Sequence, residues 1–183
     1  MKRSIMLVVV AVLLFGIAQA DTLSVRLNQI AAISGTIKGQ ERARVVLSFP
    51  LPERVLGSRI DFVKLEFPAV LRTDTNYRYT IEGYRITTRW EERRVTWNSP
   101  WRRPGGDFDS SRICWFTTAT SDSHPVVLDI TSAVKDWQAN GNNFGLLLKR
   151  PEYEGGGFWT EIEGLRGALN SARVKFYFTP IQE

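Results

Sequence analysis

The sequence predicts an all-β protein, and two observations predict it. In several short segments, apolar residues alternate with polar ones and the alternation ends at a proline or a glycine. That is the pattern of strands with at least one buried face. One stretch of the chain, residues 130–137, interrupts this pattern with helical spacing. Many short strands with one short helix indicate an antiparallel β-sandwich.

The individual strands follow from this alternation. Their apolar positions are, in chain order, Leu23, Val25 and Leu27; Val45, Leu47 and Phe49; Val63, Leu65 and Phe67; Tyr77, Tyr79 and Ile81; and Ala172, Val174, Phe176 and Phe178. Residues 144–149 add a continuous apolar strand. The segment 21–39 reads as a strand that pairs either within its own sandwich or with a neighbouring subunit.

The helix is predicted from Ile130, Val134 and Trp137, which fall at i, i+4 and i+7. Asp129 or Thr131 can cap its start, and Gly141 can end it. We expect it to close one end of the sandwich with Trp137.

The first twenty residues have the three parts of a secretory signal peptide. A basic start at Lys2-Arg3 precedes an uncharged apolar run over 5–18, and Ala18-Gln19-Ala20 is a small-x-small cleavage site. The run is shorter than the roughly 20 residues that span a bilayer as a helix, so an uncleaved anchor is the weaker alternative. We therefore expect a single domain over 21–183, secreted to the cell surface or beyond, with no stable membrane insertion after cleavage.

Cys114 is the only cysteine in the chain. It has no partner for an intramolecular disulfide, so the fold cannot be a disulfide scaffold. Its apolar neighbours predict a thiol buried in the core, and pairing between two chains is the alternative.

The charge is mildly basic. The whole chain carries +5, and loss of Lys2 and Arg3 lowers this to +3. Such a charge is too small to indicate nucleic-acid binding, and export makes that partner unsuitable. Arginine outnumbers lysine, which favours planar, bidentate contacts with carboxylate or phosphate groups.

Catalysis has little support in the sequence. His124 is the only histidine and precedes a proline, which suits a surface loop better than a catalytic or metal site. Glu161 and Glu163 lie two residues apart, on one side of a strand if the segment is extended, but a solvated face explains that spacing equally well. We expect no enzymatic activity.

The tryptophans allow two interpretations, which are core packing and stacking on sugar rings. Packing is the expectation for Trp90, Trp97, Trp101 and Trp137. Trp101 is also a candidate ligand contact because arginines surround it. Trp159 follows three glycines in a predicted loop, so it is the favoured exposed aromatic residue and a candidate ligand-binding residue.

Six arginines crowd the region of these tryptophans: Arg89, Arg93, Arg94, Arg102, Arg103 and Arg112. Guanidinium groups beside aromatic rings suit uronates or sulfated glycans. We take Arg94, Arg102 and Arg103 as candidate ligand-binding residues. Acidic residues lie in the same region, so a solvated face of internal ion pairs is the alternative.

Asp107 and Asp109 occupy a turn rich in glycine. Acids at i and i+2 can supply oxygen ligands to Ca²⁺, and they can equally close a turn by accepting backbone hydrogen bonds. Ca²⁺ at this pair is the one cofactor that the sequence suggests.

The tryptophan, proline and glycine positions between Trp90 and Gly106, followed by Asp129-Ile130-Thr131, Trp137 and 143–149, carry a resemblance. Over about residues 41–179 the chain resembles the DNRLRE domain, a secreted β-sandwich related to alginate-binding modules and to transforming growth factor-β propeptides. The resemblance implies a jelly-roll sandwich and a non-catalytic module. No Ser-Arg-Glu element occurs near its end, where 159–163 reads Trp-Thr-Glu-Ile-Glu.

Two functions are therefore expected. The first is binding of a polysaccharide or envelope glycan, acidic glycans being favoured. The second is a structural subunit of an extracellular fibre or matrix, assembled by strand pairing between subunits.

Overall fold

The protein is a two-sheet antiparallel sandwich. The computed structural model describes residues 20–69, 80–117, 124–151 and 159–181, and for residues 159–161 it describes the backbone alone. Its strands are β1 (Asp21–Arg26), β2 (Gln29–Ile37), β3 (Gln40–Ser48), β4 (Ser58–Phe67), β5 (Thr80–Ile86), β6 (Phe108–Thr117), β7 (Val126–Asp129), β8 (Leu146–Lys149) and β9 (Arg173–Pro180). Its helices are α1 (Glu53–Leu56), α2 (Thr131–Asn140) and α3 (Trp159–Leu169).

The strand order is that of a jelly roll. One sheet has the order β1-β9-β4-β7 and the other β2-β3-β8-β5-β6. Apart from the edge strand β2, the strands pair as nested hairpins: β1 with β9, β3 with β8, β4 with β7, and β5 with β6. A nested hairpin rolled into two layers is the jelly-roll arrangement, so the predicted fold class is confirmed.

The main core lies between the two sheets and contains the predicted apolar positions of β3, β4 and β9. The Phe49 ring meets Trp137 at 5.6 Å and Phe176 at 6.2 Å, both edge to face. These contacts anchor α2 at one end of the sandwich, as expected. The Asp129 carboxylate accepts the Thr131 N–H at 2.9 Å at the start of the helix. Gly141, with φ 70°, ends it in the left-handed conformation.

Helix α3 corrects the prediction of one short helix and of a loop at Trp159. Ile162, Leu165 and Leu169 fall at i, i+3 and i+7 and are buried in the main core, which stabilises a helix where the preceding glycines suggested a loop. The extended reading of Glu161 and Glu163 is also wrong, because residues two apart on a helix lie on different faces.

The segment 21–39 forms two strands in different sheets. β1 pairs with β9 and β2 pairs with β3, each at an edge of its sheet. The segment is therefore used within its own sandwich. Tyr77 and Tyr79 of the predicted strand before Ile81, and the signal peptide up to Gln19, lie outside the described residues.

Candidate ligand-binding site

The loop between β5 and β6, residues 87–107, covers part of the outer face of the five-stranded sheet. We call it the Trp loop because Trp90, Trp97 and Trp101, only 5%, 6% and 7% exposed, pack there in a second apolar cluster with Val46 and Leu147. With one core on each side, all four residues of β8 are buried. This explains why β8 reads as a continuous apolar run rather than an alternating one.

The tryptophans of this loop hold it in place, and they do not face a ligand. The Trp90 indole N–H donates to the Phe144 carbonyl at 2.8 Å, and that of Trp101 donates to the Thr96 carbonyl at 2.9 Å. The prediction of Trp101 as a ligand contact is corrected, because its ring is buried against the sheet. The prediction of packing for Trp90 and Trp97 agrees with their burial.

Two glycines allow the Trp loop to approach the sheet. A Cβ on Gly35 of β2 would lie 2.6 Å from the Trp97 Nε1 atom and closer still to Cδ1 and Cγ. A Cβ on Gly106, whose φ is 111°, would lie 2.7 Å from the Leu147 Cδ1 atom. A side chain at either position would push the Trp loop away from the sheet, so the two glycines allow the loop to pack closely on it.

Asp107 closes the Trp loop. Its carboxylate accepts the backbone N–H groups of Arg102 at 2.8 Å and Arg103 at 3.1 Å, and the Thr88 hydroxyl at 2.8 Å. Burial acts to raise the pKa of Asp107, but these hydrogen bonds, with that of Arg102 first among them, lower it below its ordinary value of 3.8. The carboxylate is therefore charged near neutral pH, and it positions the two arginines that bind it.

A cleft of about 780 Å³ opens beside this closure, between the Trp loop, β2 and the start of β6. Arg102 and Arg103 line it as exposed side chains. The cleft also has hydroxyl groups on its walls, those of Thr36, Thr87, Thr88 and Ser110. Cations and hydroxyl groups together suit a ligand that carries both acidic groups and hydrogen-bonding groups.

Arg44 of β3 lines the same cleft and is only 5% exposed. Its Nη1 donates to the Gly105 carbonyl at 2.6 Å, and its guanidinium carbon lies 5.1 Å from the centre of the Trp97 ring and 5.4 Å from that of Phe108. A buried guanidinium on aromatic faces is held rigidly. The cleft thus combines three arginines with one carboxylate, that of Asp107.

Of the other candidates, Arg94 lies outside this group. It is exposed and forms an ion pair with Glu91 at 3.5 Å. This contact fits the alternative given above for the arginines, a solvated face of internal ion pairs. Arg94 is not among the residues that line the cleft. The side chain of Trp159 is not described, so its predicted exposure stays a prediction.

Asp109 and Asp107 have separate roles. Asp109 accepts the Ser111 N–H at 2.8 Å and the Arg85 guanidinium at 2.5 Å, and these two groups lower its pKa. Arg85 also pairs with Asp136 and so ties β6 to α2. Among the described residues, no group of three or more histidine, cysteine, aspartate or glutamate side chains is placed to hold a metal ion. The geometry favours the turn-closing role of the two acids over Ca²⁺ binding.

Trp115 is the exposed aromatic residue that the sequence interpretation missed. It lies on the edge strand β6 and its residue is 56% exposed, whereas its neighbours Cys114 and Phe116 are buried in the main core. Alternation about those two residues places Trp115 on the outer face. That signal was available in the sequence, but the apolar run 113–116 suggested burial throughout.

Cys114, His124 and Glu163 are not among the residues that line the cleft. Burial, with a smaller effect of Asp129, raises the pKa of the Cys114 thiol to about 12, in agreement with a buried cysteine. His124 is exposed, and Glu163 is paired with Arg166 at 3.2 Å. No helix in the described part of the chain is both long and apolar enough to cross a membrane.

No family model matches the chain, and no curated protein is significantly similar to it.

Proposed function

We propose that the protein is a secreted, non-catalytic module of the cell surface or extracellular space that binds acidic polysaccharide through the cleft beside the Trp loop. The observation that carries the proposal is the rigid presentation of Arg102 and Arg103. Their backbone is fixed by Asp107, and their side chains are exposed at a cleft that Arg44 also lines.

The charges of the cleft favour an acidic ligand over a neutral one. Arg44, Arg102 and Arg103 line the cleft together with Asp107, and the Asp107 carboxylate already accepts three hydrogen bonds. Guanidinium groups form bidentate hydrogen bonds with carboxylate and sulfate groups, which gives both affinity and orientation. The hydroxyl groups of the cleft walls can bond the hydroxyl groups of a sugar.

The resemblance to DNRLRE-domain proteins stays a prediction that rests on the motif residues quoted above, and the jelly-roll order is compatible with it. Export likewise rests on the signal-peptide pattern of residues 1–20. Both support a location where polysaccharides are abundant.

The test is a binding titration of residues 21–183 against polygalacturonate, hyaluronate and dextran sulfate, with dextran as the neutral polymer. We expect at least one acidic polymer to bind, with an affinity that falls as salt increases. Replacement of Arg102 and Arg103 by alanine should weaken that binding about tenfold or more, because two charged contacts are lost.

The matched control is the double change of Arg93 and Arg94 to alanine. It removes the same charge from the same loop, but both residues lie outside the cleft lining. An equal loss of affinity in the two double variants would show that net charge alone binds the polymer, and it would refute the cleft as the site.

A structural subunit of a fibre or matrix is the second candidate, because β1 and β2 each leave one edge without a partner strand among the described residues. Ser34 is exposed on β2, and a lysine there would oppose edge pairing. Filaments in negative-stain microscopy that disappear in Ser34→Lys would favour this function. A protein that remains monomeric at high concentration would exclude it.

A further inference from the structure

We propose that Trp115 and Arg112 form a second sugar subsite, so that the ligand is a polysaccharide chain long enough to reach from the cleft to the edge strand β6. This inference rests on the proposed function. It adds a site on a different strand edge from the cleft, and it excludes a single anion or monosaccharide as the full ligand.

The register of the sheet aligns the two places. Arg44, Lys149, Glu82 and Trp115 are direct cross-strand partners on the adjacent strands β3, β8, β5 and β6. Three strand spacings of about 4.8 Å put Trp115 about 14 Å from Arg44, which lines the cleft. No single sugar ring covers that distance, but a short stretch of a polysaccharide chain does.

Arg112 is prearranged beside Trp115. Its Nη1 donates to the Glu82 carboxylate at 2.9 Å, and its guanidinium carbon lies 6.0 Å from the centre of the Trp115 ring. Glu82 is buried and also accepts the Tyr84 hydroxyl at 2.7 Å. The buried carboxylate thus fixes the guanidinium on one side and leaves its other edge toward solvent, since the Arg112 side chain is 49% exposed.

This pair fits one sugar ring that carries an acidic group. The apolar face of a pyranose buries well against an exposed indole, which otherwise leaves a large apolar surface in water. The carboxylate or sulfate of the same or the next ring can meet the guanidinium. A neutral sugar would use only the indole, so the pair selects the same acidic class as the cleft.

Aromatic contacts connect the two subsites. Phe108 lies 5.0 Å from Tyr84, between ring centres, and its ring also lies near the guanidinium of Arg44 and the ammonium of Lys149. Phe108 lines the cleft as well. Tyr84 in turn donates to the Glu82 carboxylate that holds Arg112. Both subsites are therefore supported by one connected group of buried and half-buried side chains.

The experiment compares Trp115→Ala with wild type in titrations of residues 21–183 with polygalacturonate, hyaluronate, dextran sulfate and monomeric galacturonate. We expect the dissociation constant for the bound polymer to rise about tenfold. Weak binding of the monomer at the cleft should stay unchanged. Trp115→Phe should recover part of the affinity because it keeps an aromatic face.

Phe62→Ala is the control. Phe62 is an exposed aromatic residue on β4 of the other sheet, 37% exposed, and its loss should leave the affinity unchanged. Circular dichroism of each variant confirms that the fold is intact, which is expected because both side chains are exposed.

The outcomes separate this proposal from the proposed function. If the arginine variants of the cleft weaken polymer binding and Trp115→Ala stays within twofold of wild type, the second subsite is refuted and the cleft stands. If wild type binds none of the acidic polymers, the proposed function fails and this subsite with it. If Trp115→Ala instead abolishes a self-association of the protein, the surface serves a second copy of the chain, and the subsite is refuted.

Discussion

Replacement of Gly35 by alanine tests whether the Trp loop rests on the sheet as described. The added methyl would lie 2.6 Å from the Trp97 Nε1 atom, well inside the carbon contact distance of about 3.5–4.0 Å. The ring has little room to retreat, because Trp97 is buried and its carbonyl accepts the Gly105 N–H at 2.6 Å. The loop must therefore shift as a unit.

The expected cost follows from two opposing effects. Overpacking of a buried site costs about 1–3 kcal/mol, and the lower entropy of the unfolded chain with alanine returns about 0.4–1 kcal/mol. The free energy of unfolding should fall by about 1–2 kcal/mol, which lowers Tm by about 2–8 °C for a domain of this size. Thermal unfolding followed by circular dichroism measures it.

Gly57→Ala is the matched control, since a Cβ there meets no atom within 4 Å and its φ is −89°. A Tm of Gly35→Ala equal to or above that of Gly57→Ala would refute the described packing. A double-mutant cycle adds a second check. With Trp97→Leu already present, the penalty of Gly35→Ala should shrink to below about 0.5 kcal/mol, because the ring that the methyl strikes is gone.

Asp107→Asn should weaken the binding of acidic polymers, although it removes a negative charge from the cleft. The reason is that the amide cannot bind both arginine N–H groups and the Thr88 hydroxyl. Tighter binding in titrations would contradict the positioning role of Asp107. Because the folded pKa of Asp107 lies below 3.8, its contribution is fully present above that pH and is lost as the pH falls through the folded pKa. The near-ultraviolet circular dichroism of the Trp loop should therefore hold down to about pH 3.8 and change below it, and a change centred above pH 5 would exclude Asp107 as its cause. Burial raises the pKa of the Cys114 thiol to about 12, so Cys114 should resist iodoacetamide at pH 8 in the folded protein and react once urea unfolds it. Mass spectrometry measures the labelling. Rapid labelling of the folded protein would contradict the burial of Cys114.

Strands such as β4 and β9 were predictable because one face of each is buried in the main core, which produces the period-two pattern. The same rule failed at α3. Its apolar residues Ile162, Leu165 and Leu169 have helical spacing, but the glycines before them favoured a loop. The helix is stabilised by tertiary packing into the core more than by its local sequence.

The site was less predictable than the fold, because it depends on how one loop folds back. In the sequence, Arg94 and Arg102 are alike, since each is an arginine near the tryptophans. Their roles differ because Asp107 binds the Arg102 backbone, whereas Arg94 pairs with Glu91. The buried Arg44 lies far from them in the sequence, on β3, and it joins the cleft through the sheet. Trp115 was the exception, since alternation with its buried neighbours could have revealed it.

The nested pairing has a consequence for how the chain acquires its structure. Among the described residues, β1 pairs with β9, the last described strand, and β9 lies between β1 and β4. Contacts that distant in sequence fold slowly, since a long stretch of chain must be ordered to form them. The four-stranded sheet cannot assemble before β9 has been synthesised. Until then, the edges of β1 and β4 that pair with β9 have no partner strand. The protein should therefore gain its native structure late and in one cooperative step, after nearly the whole chain is present.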